Sequence, residues 1–300
     1  MVLLIKLLLC NSAVLGRNIT KIKWAVEESK EKFIEIKEVI RDKNPALLKW
    51  IPGFVLNYIR KITHEDEINR MMADYGHLHG MDFVHALIDD FGVKIVLKGE
   101  ENIPITQPVI FASNHPLGGF DGIAFMHAIG KYREDIRFLV NDILTNIKNF
   151  DPLFVPVNKH GSHGRKAARL IEETYAGENA VLVFPAGLVS RKQSHGISDL
   201  EWKKSFIAKA KKYKKDVVPV YIDGRNSSFF YNLAQLRKKL GVKANIEMMY
   251  LADEMFGQKN KKVTIHVGKP ISYQYFDNTK NEKDWAAEVK KVVYSIASES

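Results

Sequence analysis

The sequence predicts an α/β fold, with a mixed, largely parallel sheet flanked by helices and an N-terminal helical subdomain. Three observations predict it. After Gly92, short apolar runs alternate with helical patterns, which is typical of parallel strands joined by helices. Before Gly92, apolar residues recur three and four positions apart, which indicates helices. The chain has 300 residues, of which 46% are hydrophobic, and this is enough for a sizeable packed core.

The first part of the chain is expected to hold an apolar N-terminus, residues 1–20, followed by the helical subdomain over residues 21–90. The N-terminus fits either a signal or membrane anchor, or a dispensable segment, and Lys6 interrupts its apolar run. Further on, Trp50, Phe54 and Tyr58 recur at helical spacing beside basic residues. That stretch fits either a helix lying in a membrane interface or a helix packed on the core.

The α/β domain is expected over residues 91–300, as eight strands and five helices. The predicted strands are VKIVLKG, PVIFAS, IRFLV, LFVPVN, AVLVFPAG, DVVPVYID, IEMMYL and KVTIHVG, in chain order. The predicted helices run from Gly122 to Gly130, Arg165 to Tyr175, Trp202 to Tyr213, Phe229 to Leu240 and Glu282 to Ala297.

The composition limits the function classes. The chain carries 45 Lys and Arg against 35 Asp and Glu, a formal net charge of +10, so an anionic partner is expected. The single cysteine, Cys10, excludes an intrachain disulfide and a cysteine-based zinc cluster. Neither a Walker loop nor a G-x-S-x-G elbow is present, which disfavours nucleotide hydrolases and serine hydrolases. Nucleic acid is not expected as a partner, because few aromatics lie among the lysines of the two basic runs, 203–215 and 259–262.

The stretch SNHPLGGFDG places a histidine and an aspartate where chemistry is expected. His115 follows a buried strand, and ligands bind at the carboxyl ends of strands in sheets of this class. Gly118 and Gly119 let the loop fold back, so that Asp121 at the start of the next helix lies near the imidazole. A carboxylate in that position fixes the tautomer of a histidine that acts as a general base. The alternative is that the two residues only cap the loop and the helix.

The other histidines do not form a comparable pattern. His77, His79, His85 and His127 lie in helical patterns, where a surface or packed histidine is the usual outcome. The remaining loop histidines lack the spacing to carboxylates or cysteines that a zinc site needs. The sequence therefore predicts no metal site.

Four blocks resemble a known family. NHPLGGFD, LFVPVNK, VLVFPAGLVSRK and VVPVYIDGRNS, in this order, are similar to the glycerolphosphate and lysophospholipid acyltransferases, over about Val93 to Pro270. The resemblance is to a bacterial, hemolysin-like branch related to the O-acyltransferases of amino-acid lipids that contain ornithine or glycine. It implies that His115 is the general base and that Asp121 orients it. The spacing here is His-x5-Asp, one residue longer than the usual His-x4-Asp.

The third block departs further from the family pattern. FPAGLVS carries Ala186, Leu188 and Val189 where the family has glutamate, threonine and arginine, so a glycerol-3-phosphate acceptor is not expected. The resemblance favours a lyso-lipid with another head group, such as a 3-hydroxyacyl amino-acid lipid. Besides the catalytic pair, the expected substrate-binding residues are Asn114, Gly118, Gly119, Lys159, Gly187, Ser190, Arg191 and Lys192.

The activity implied is an O-acyl transfer from acyl carrier protein or acyl-coenzyme A to the hydroxyl of a lyso-lipid, without a cofactor. An anionic membrane surface is the expected partner, and the expected location is the cytoplasmic face of the inner membrane, peripheral or anchored by the N-terminus. Two alternatives stay open at this point. One is a thioester or lipid hydrolase, and the other is a catalytically inactive membrane- or lipid-binding protein.

Overall fold

A computed structural model describes residues 32–141, 144–157 and 164–296. The described chain packs as two compact units. The smaller unit comprises the described residues up to Asp74 together with Asn232–Asp253, and the larger unit comprises Tyr75–Tyr231 and the described residues from Glu254 onward. The apolar segment 1–20 lies outside the described residues, as does Lys159.

The smaller unit begins with four helices: α1 (Ile36–Lys43), α2 (Pro45–Trp50), α3 (Gly53–Ile62) and α4 (Glu65–Tyr75). Ile34, Ile36 and Ile40 form its apolar cluster, against which side chains of α2, α3 and α4 pack. Glu65 is buried and accepts hydrogen bonds from the Ile36 amide and the Arg60 side chain. The predicted helical character of the N-terminal region is thus present, built on a small core of its own.

The larger unit begins with α5 (Gly80–Phe91) and contains the sheet. The further elements of the chain are β1 (Lys94–Lys98), β2 (Val109–Ser113), α6 (Gly119–Gly130), β3 (Ile136–Asn141), β4 (Phe154–Val157), α7 (Gly164–Ala176), β5 (Ala180–Val183), β6 (Arg191–Gln193), β7 (Gly196–Ser198), α8 (Ser205–Tyr213), β8 (Asp216–Asp223), α9 (Ser228–Lys239), α10 (Leu251–Phe256), β9 (Lys262–Val267) and α11 (Glu282–Ile296). Helices α9 and α10 have residues in both units. Strands β6 and β7 form a separate antiparallel hairpin.

Seven strands form one sheet in the order β1-β9-β8-β2-β5-β3-β4. Every neighbouring pair is parallel except β8 and β9, which run antiparallel. Strand β2 lies at the centre of the sheet, and all of its residues are buried. Burial on both faces explains why it reads as a continuous apolar run. The predicted mixed, largely parallel sheet is confirmed.

Helices cover the sheet because its strands are apolar on both faces. Ile110 and Ala112 of β2 point to one side, where they join a core that contains Trp202, residues of α8 and the inner face of α11. Residues of β2 between them point to the opposite side, since side chains alternate along a strand. Helix α6 is buried along nearly its whole length, which explains its largely apolar sequence.

One predicted strand is wrong. IEMMYL forms a 3₁₀ helix, Ile246–Tyr250, followed directly by α10. Glu247 is fully buried there and accepts hydrogen bonds from Arg237, whose guanidinium also reaches the Asn245 side chain. This ion pair anchors the apolar run against α9, whereas the periodicity of so short a run does not distinguish a strand from a helix.

Some element boundaries differ from the prediction. The helix expected from Trp202 begins at Ser205, because the Trp202 indole is hydrogen-bonded to Asp199 in the preceding loop. The hairpin of β6 and β7 was not predicted. The packing also groups α5 with the sheet and Asn232–Asp253 with the N-terminal helices, which differs from a division at residue 90.

Candidate active site

The candidate active site lies where three neighbouring parallel strands end. Strand β2 pairs with β5 on one side and with β8 on the other, all in the same direction. Their following loops, 114–118, 184–190 and 224–227, therefore leave from one edge of the sheet, the edge at which ligands bind in open α/β folds. His115, Arg191 and Asn226 all lie in or next to these loops.

His115 and Asp121 are joined at this edge. Nδ1 of His115 lies 3.0 Å from both carboxylate oxygens of Asp121. The Leu117 amide donates to the same carboxylate over 2.8 Å, and Asp121 is fully buried. An ionised carboxylate accepts hydrogen bonds only, so the proton between the two side chains sits on Nδ1. The two residues thus form an ordered pair with the other ring nitrogen, Nε2, available as an acceptor.

A glycine lets the loop after β2 turn back so that Asp121 reaches the imidazole of His115. Gly118 has φ 77° and ψ −123°, a conformation that side chains other than glycine rarely adopt. Helix α6 then begins at Gly119, three residues earlier than predicted, so Asp121 sits in its first turn.

The imidazole of His115 is packed against a neighbouring ring but stays partly exposed to solvent. The ring of His115 stacks on Phe184, with centroids 4.2 Å apart and planes at 15°. Its side chain stays 17% exposed, and Nε2 has no hydrogen-bond partner among the residues that the structure describes. The stacking and the Asp121 contact hold the ring plane, so Nε2 presents a fixed direction to a bound molecule.

The electrostatics favour the protonated imidazole. Burial lowers the pKa of His115, but the charge and hydrogen bond of Asp121, together with the charge of Asp199, raise it by more. Arg191 opposes them. The pKa of His115 is therefore raised above its ordinary value of 6.5. A base with a raised pKa takes up a proton more readily once it is neutral.

Asp199 is a site residue that the sequence reasoning missed. It is fully buried and accepts hydrogen bonds from the His115 amide (3.2 Å) and the Ser190 hydroxyl (2.5 Å). The Trp202 indole donates to its other oxygen over 2.9 Å. The only sequence signal is an acid between a polar loop and an apolar run, in ISDLEW, which does not identify a partner.

Two predicted substrate-binding residues are engaged with protein groups. Both atoms of the Asn114 carboxamide bind the backbone of Ile222, at 2.9 and 2.7 Å. Ser190 is buried; its amide donates to the His115 carbonyl, and its hydroxyl donates to Asp199. These contacts tie the loop after β2 to β8 and to the loop after β5.

The remaining predicted positions separate into buried and exposed ones. Arg191 is buried with its guanidinium carbon 5.2 Å from the centre of the Phe230 ring, while the next residue, Lys192, is exposed. Gly187 and Gly119 are exposed in their loops, and Gly187 has a positive φ of 64°. The structure thus brings Arg191, and not Lys192, close enough to His115 for its charge to affect the imidazole.

Asn226 is the second buried carboxamide at this edge. Its side-chain nitrogen and oxygen are both buried, and neither has a hydrogen-bond partner within the described chain. A buried amide without partners is costly, on the order of 1–3 kcal/mol. Asn226 therefore contrasts with Asn114, whose carboxamide is fully used.

The basic runs are only partly a charged surface. Lys209 and Lys212 bind Glu172, and Lys215 is buried with its ammonium donating to the carbonyls of Gly177 and Asn179. Burial lowers the pKa of Lys215 to about 8. Over the ranges that the structure covers, no group of three or more His, Cys, Asp or Glu side chains is arranged to hold a metal ion.

This chain was compared with known families, proteins and solved structures. The family model described as acyltransferase matches residues 38–299. The chain is 45% identical over 265 residues to the lyso-glycine lipid O-acyltransferases of Phocaeicola vulgatus and Bacteroides thetaiotaomicron, covering 88% of this chain and 95% and 97% of theirs. The crystal structure of a 1-acyl-sn-glycerophosphate acyltransferase, PlsC, from Thermotoga maritima aligns with a TM-score of 0.43 and 16% identity, over 81% of this chain and 92% of that one.

Proposed function

This chain belongs to the acyltransferase family and is an acyltransferase, and on that premise we propose that it moves a fatty acyl group from a thioester to the hydroxyl of a lyso-lipid. The thioester is carried by acyl carrier protein or coenzyme A. The names of the two 45% identical relatives support an acceptor of the lyso-glycine lipid type, as does the loss of the third-block arginine at Val189. The reaction belongs to membrane lipid biosynthesis.

One observation carries the proposal: Nδ1 of His115 is held by Asp121 while Nε2 has no partner in the described part of the chain. Nε2 takes the proton of the acceptor hydroxyl as the hydroxyl oxygen attacks the thioester carbonyl carbon. The Asp121 carboxylate stabilises the imidazolium that forms. The tetrahedral intermediate then collapses, the carbon–sulfur bond breaks, and the leaving thiolate takes the proton from Nε2. The products are an ester and a free thiol.

The oxyanion of that intermediate needs hydrogen-bond donors. The amides of His115 and Leu117 are engaged with Asp199 and Asp121, and residue 116 is a proline without an amide proton. This leaves the amides of Gly118 and Gly119, at the start of α6, as the donors that we assign to the oxyanion. The partial positive charge at a helix start favours an anion there.

Arg191 is the residue that we assign to the acceptor head group. Its guanidinium is buried over Phe230 and close enough to affect the charge of His115. A guanidinium offers a planar, bidentate set of donors that matches a carboxylate. Arg191 would therefore favour a head group that carries a free carboxylate, such as glycine, over one without a negative charge.

The lipid substrate calls for a membrane surface. Trp50, Phe54 and Tyr58 are 84%, 74% and 50% exposed, and Lys61 extends the exposed side of α3. Exposed aromatics beside basic side chains suit the interface of an anionic bilayer. We place this enzyme at the cytoplasmic face of the inner membrane through these residues. Among the described helices, none is long and apolar enough to cross a bilayer.

The test of the reaction supplies purified protein with acyl-carrier-protein or coenzyme A thioesters and one of three conditions: lyso-glycine lipid, lysophosphatidic acid or no acceptor. Mass spectrometry follows the products. We expect acylated glycine lipid, with lysophosphatidic acid used more slowly. Fatty acid released equally without an acceptor would instead indicate a hydrolase, and no turnover would indicate a lipid-binding protein.

The matched variants are His115→Ala and His64→Asn. We expect His115→Ala to lose about 10²- to 10⁴-fold in turnover, because general-base assistance typically contributes that much. His64 is also an imidazole bound to a carboxylate, that of Asp253, but it lies in the smaller unit. Its positive φ of 51° suits asparagine, so His64→Asn should keep its activity. Full activity in His115→Ala would remove the base assignment.

The test of the membrane surface uses flotation with vesicles that contain anionic lipid. The double variant Trp50→Ser, Phe54→Ser should bind several-fold less than the wild type, because each aromatic buries apolar area in the interface. Phe229→Ser removes an aromatic of similar exposure, 53%, from α9 and should bind normally. Equal binding of all three proteins would refute the assignment of this surface.

A further inference from the structure

Asp199 is a buried carboxylate that the proposed reaction does not consume. We propose that Asp199 is a positioning residue for His115, holding its backbone while Asp121 holds its imidazole. This inference rests on the proposed function, in which His115 is the base. Asp199 lies 84 positions from His115 along the chain, just after the hairpin of β6 and β7.

The contacts on the His115 side fix both backbone polar groups of that residue. The His115 amide donates to Oδ1 of Asp199 over 3.2 Å. The His115 carbonyl accepts from the Ser190 amide over 2.8 Å. The Ser190 hydroxyl donates its single proton to Oδ1 of Asp199 over 2.5 Å. His115, Ser190 and Asp199 therefore form a closed ring of hydrogen bonds, which fixes the position of the His115 backbone and so the point from which the imidazole projects.

The contacts on the other side attach Asp199 to the core. Oδ2 accepts from the Trp202 indole over 2.9 Å, and Trp202 is only 2% exposed in the main apolar cluster. The Asp199 amide donates to the Tyr294 hydroxyl of α11 over 2.8 Å, and the ammonium of Lys290 donates to the Asp199 carbonyl. Asp199 thus links the backbone of His115 to Trp202 and to α11.

The carboxylate also acts through its charge. The pKa of Asp199 is raised, because burial outweighs the hydrogen bonds from Ser190 and Trp202 and the charge of His115, which lower it. The His115 amide, the Ser190 hydroxyl and the Trp202 indole all donate to the Asp199 carboxylate, and three donors suit the ionised form, which only accepts hydrogen bonds. Its charge contributes to the raised pKa of His115. A residue that served packing alone would not affect the titration of the base.

The deciding variant is Asp199→Asn, which keeps the size of the side chain and removes its charge. We expect kcat to fall about 10- to 100-fold, since a small misplacement of a catalytic group costs that much. We also expect the acid limb of the kcat/KM profile to move to lower pH, because the charge that raises the His115 pKa is gone. Both are measured by steady-state assays between pH 5 and pH 9, a range of about four units centred near the ordinary pKa of histidine.

The control is Glu247→Gln, which neutralises another fully buried carboxylate, the partner of Arg237 in the smaller unit. It should lower the melting temperature and leave the acid limb in place. If Asp199→Asn shows the same pattern as Glu247→Gln, Asp199 is structural only and the proposal is overturned. If His115→Ala is fully active, the proposed function fails instead, so the two failures are distinguishable.

A second variant covers the case in which Asp199→Asn does not fold. Ser190→Ala keeps the carboxylate and removes the hydroxyl that donates to it, which opens the ring of hydrogen bonds while the Ser190 amide still binds the His115 carbonyl. We expect kcat to fall about 3- to 10-fold, the value of one hydrogen bond, with the thioester KM unchanged. An unchanged kcat in a folded Ser190→Ala would overturn the positioning role.

Discussion

Two carboxylates reach His115 by different routes. Asp121 lies six positions along the chain and binds the imidazole, whereas Asp199 lies 84 positions away and binds the backbone amide. The short-range contact follows from a glycine bend within one loop. The long-range contact depends on how β2, the hairpin of β6 and β7, and α11 pack. The catalytic pair is therefore formed by residues close in sequence, whereas the position of its backbone depends on contacts between residues far apart in the chain.

The sharpest test of that difference is Asp121→Asn. We expect a loss of about 10²- to 10⁴-fold in kcat, because a neutral amide neither fixes the tautomer nor stabilises the imidazolium. The acid limb of kcat/KM should also move to lower pH, since Asp121 contributes more than Asp199 to the raised His115 pKa. Losses of equal size in Asp121→Asn and Asp199→Asn would contradict the distinction between the two routes.

The same pair links activity and stability in opposite directions. Activity should rise as the pH increases through the raised pKa of His115, because the base must be neutral. The contribution of the His115–Asp121 pair to folding runs the other way. A folded pKa above the unfolded value stabilises the protein fully below the unfolded pKa, and that stabilisation is lost as pH rises through the folded pKa. The stability difference between wild type and His115→Ala should therefore shrink with rising pH in urea titrations.

The local part of the site could be predicted from sequence. An apolar run, a histidine, two glycines and an aspartate in one short stretch suffice to predict the strand, the bend and the His115–Asp121 contact. The alternation of apolar runs and helical patterns likewise predicts the sheet. In each case the residues that interact are close in sequence or repeat at a fixed period.

The distributed part could not be predicted. Asp199 and Ser190 meet His115 only because β2 and β5 are neighbours in the sheet, an order that a single sequence does not specify. The helical structure of IEMMYL could not be predicted either. It is anchored by the buried ion pair of Arg237 and Glu247, ten positions apart, and the spacing of apolar residues does not reveal such a pair. Nor could the contacts of Asn114 be predicted, because its partner, Ile222, is 108 positions away.

The loop after β5 offers the next test, through Arg191→Met. This change keeps the apolar stem over Phe230 and removes the guanidinium. We expect the KM for the lyso-lipid to rise about 10- to 100-fold, the value of a charge-assisted hydrogen-bonded pair, with the thioester KM unchanged. Initial rates with each substrate varied in turn separate the two constants. A parallel rise in both would show that Arg191 supports the site as a whole and does not select the head group.

A glycine pair tests the local route by itself. Gly118→Ala places a side chain at φ 77°, between His115 and Asp121, and should cost about 1–3 kcal/mol of stability and also lower kcat. Gly241→Ala is the matched control, because Gly241 has φ 69° and open space around it in the smaller unit. It should lose comparable stability in a thermal melt and keep its kcat. An unaffected kcat in Gly118→Ala would show that the bend is not needed for the catalytic geometry.

The two buried carboxamides test the long-range route. Where the ladder between β2 and β8 ends at Ser113 and Val220, the Asn114 side chain continues it by bonding the Ile222 amide and carbonyl. Asn114→Leu leaves both of those buried groups without a partner, and we expect a loss of about 1–3 kcal/mol in urea unfolding.

Asn226→Leu, the matched control at the same edge, removes a carboxamide that bonds nothing within the described residues. It should be neutral or slightly stabilising, because replacing an unsatisfied polar group by an apolar one of similar size removes its desolvation cost. Both variants are similarly buried and similarly shaped, so packing changes cancel in the comparison. Equal losses in the two would mean that the Asn114 hydrogen bonds do not hold the loop of His115 to β8.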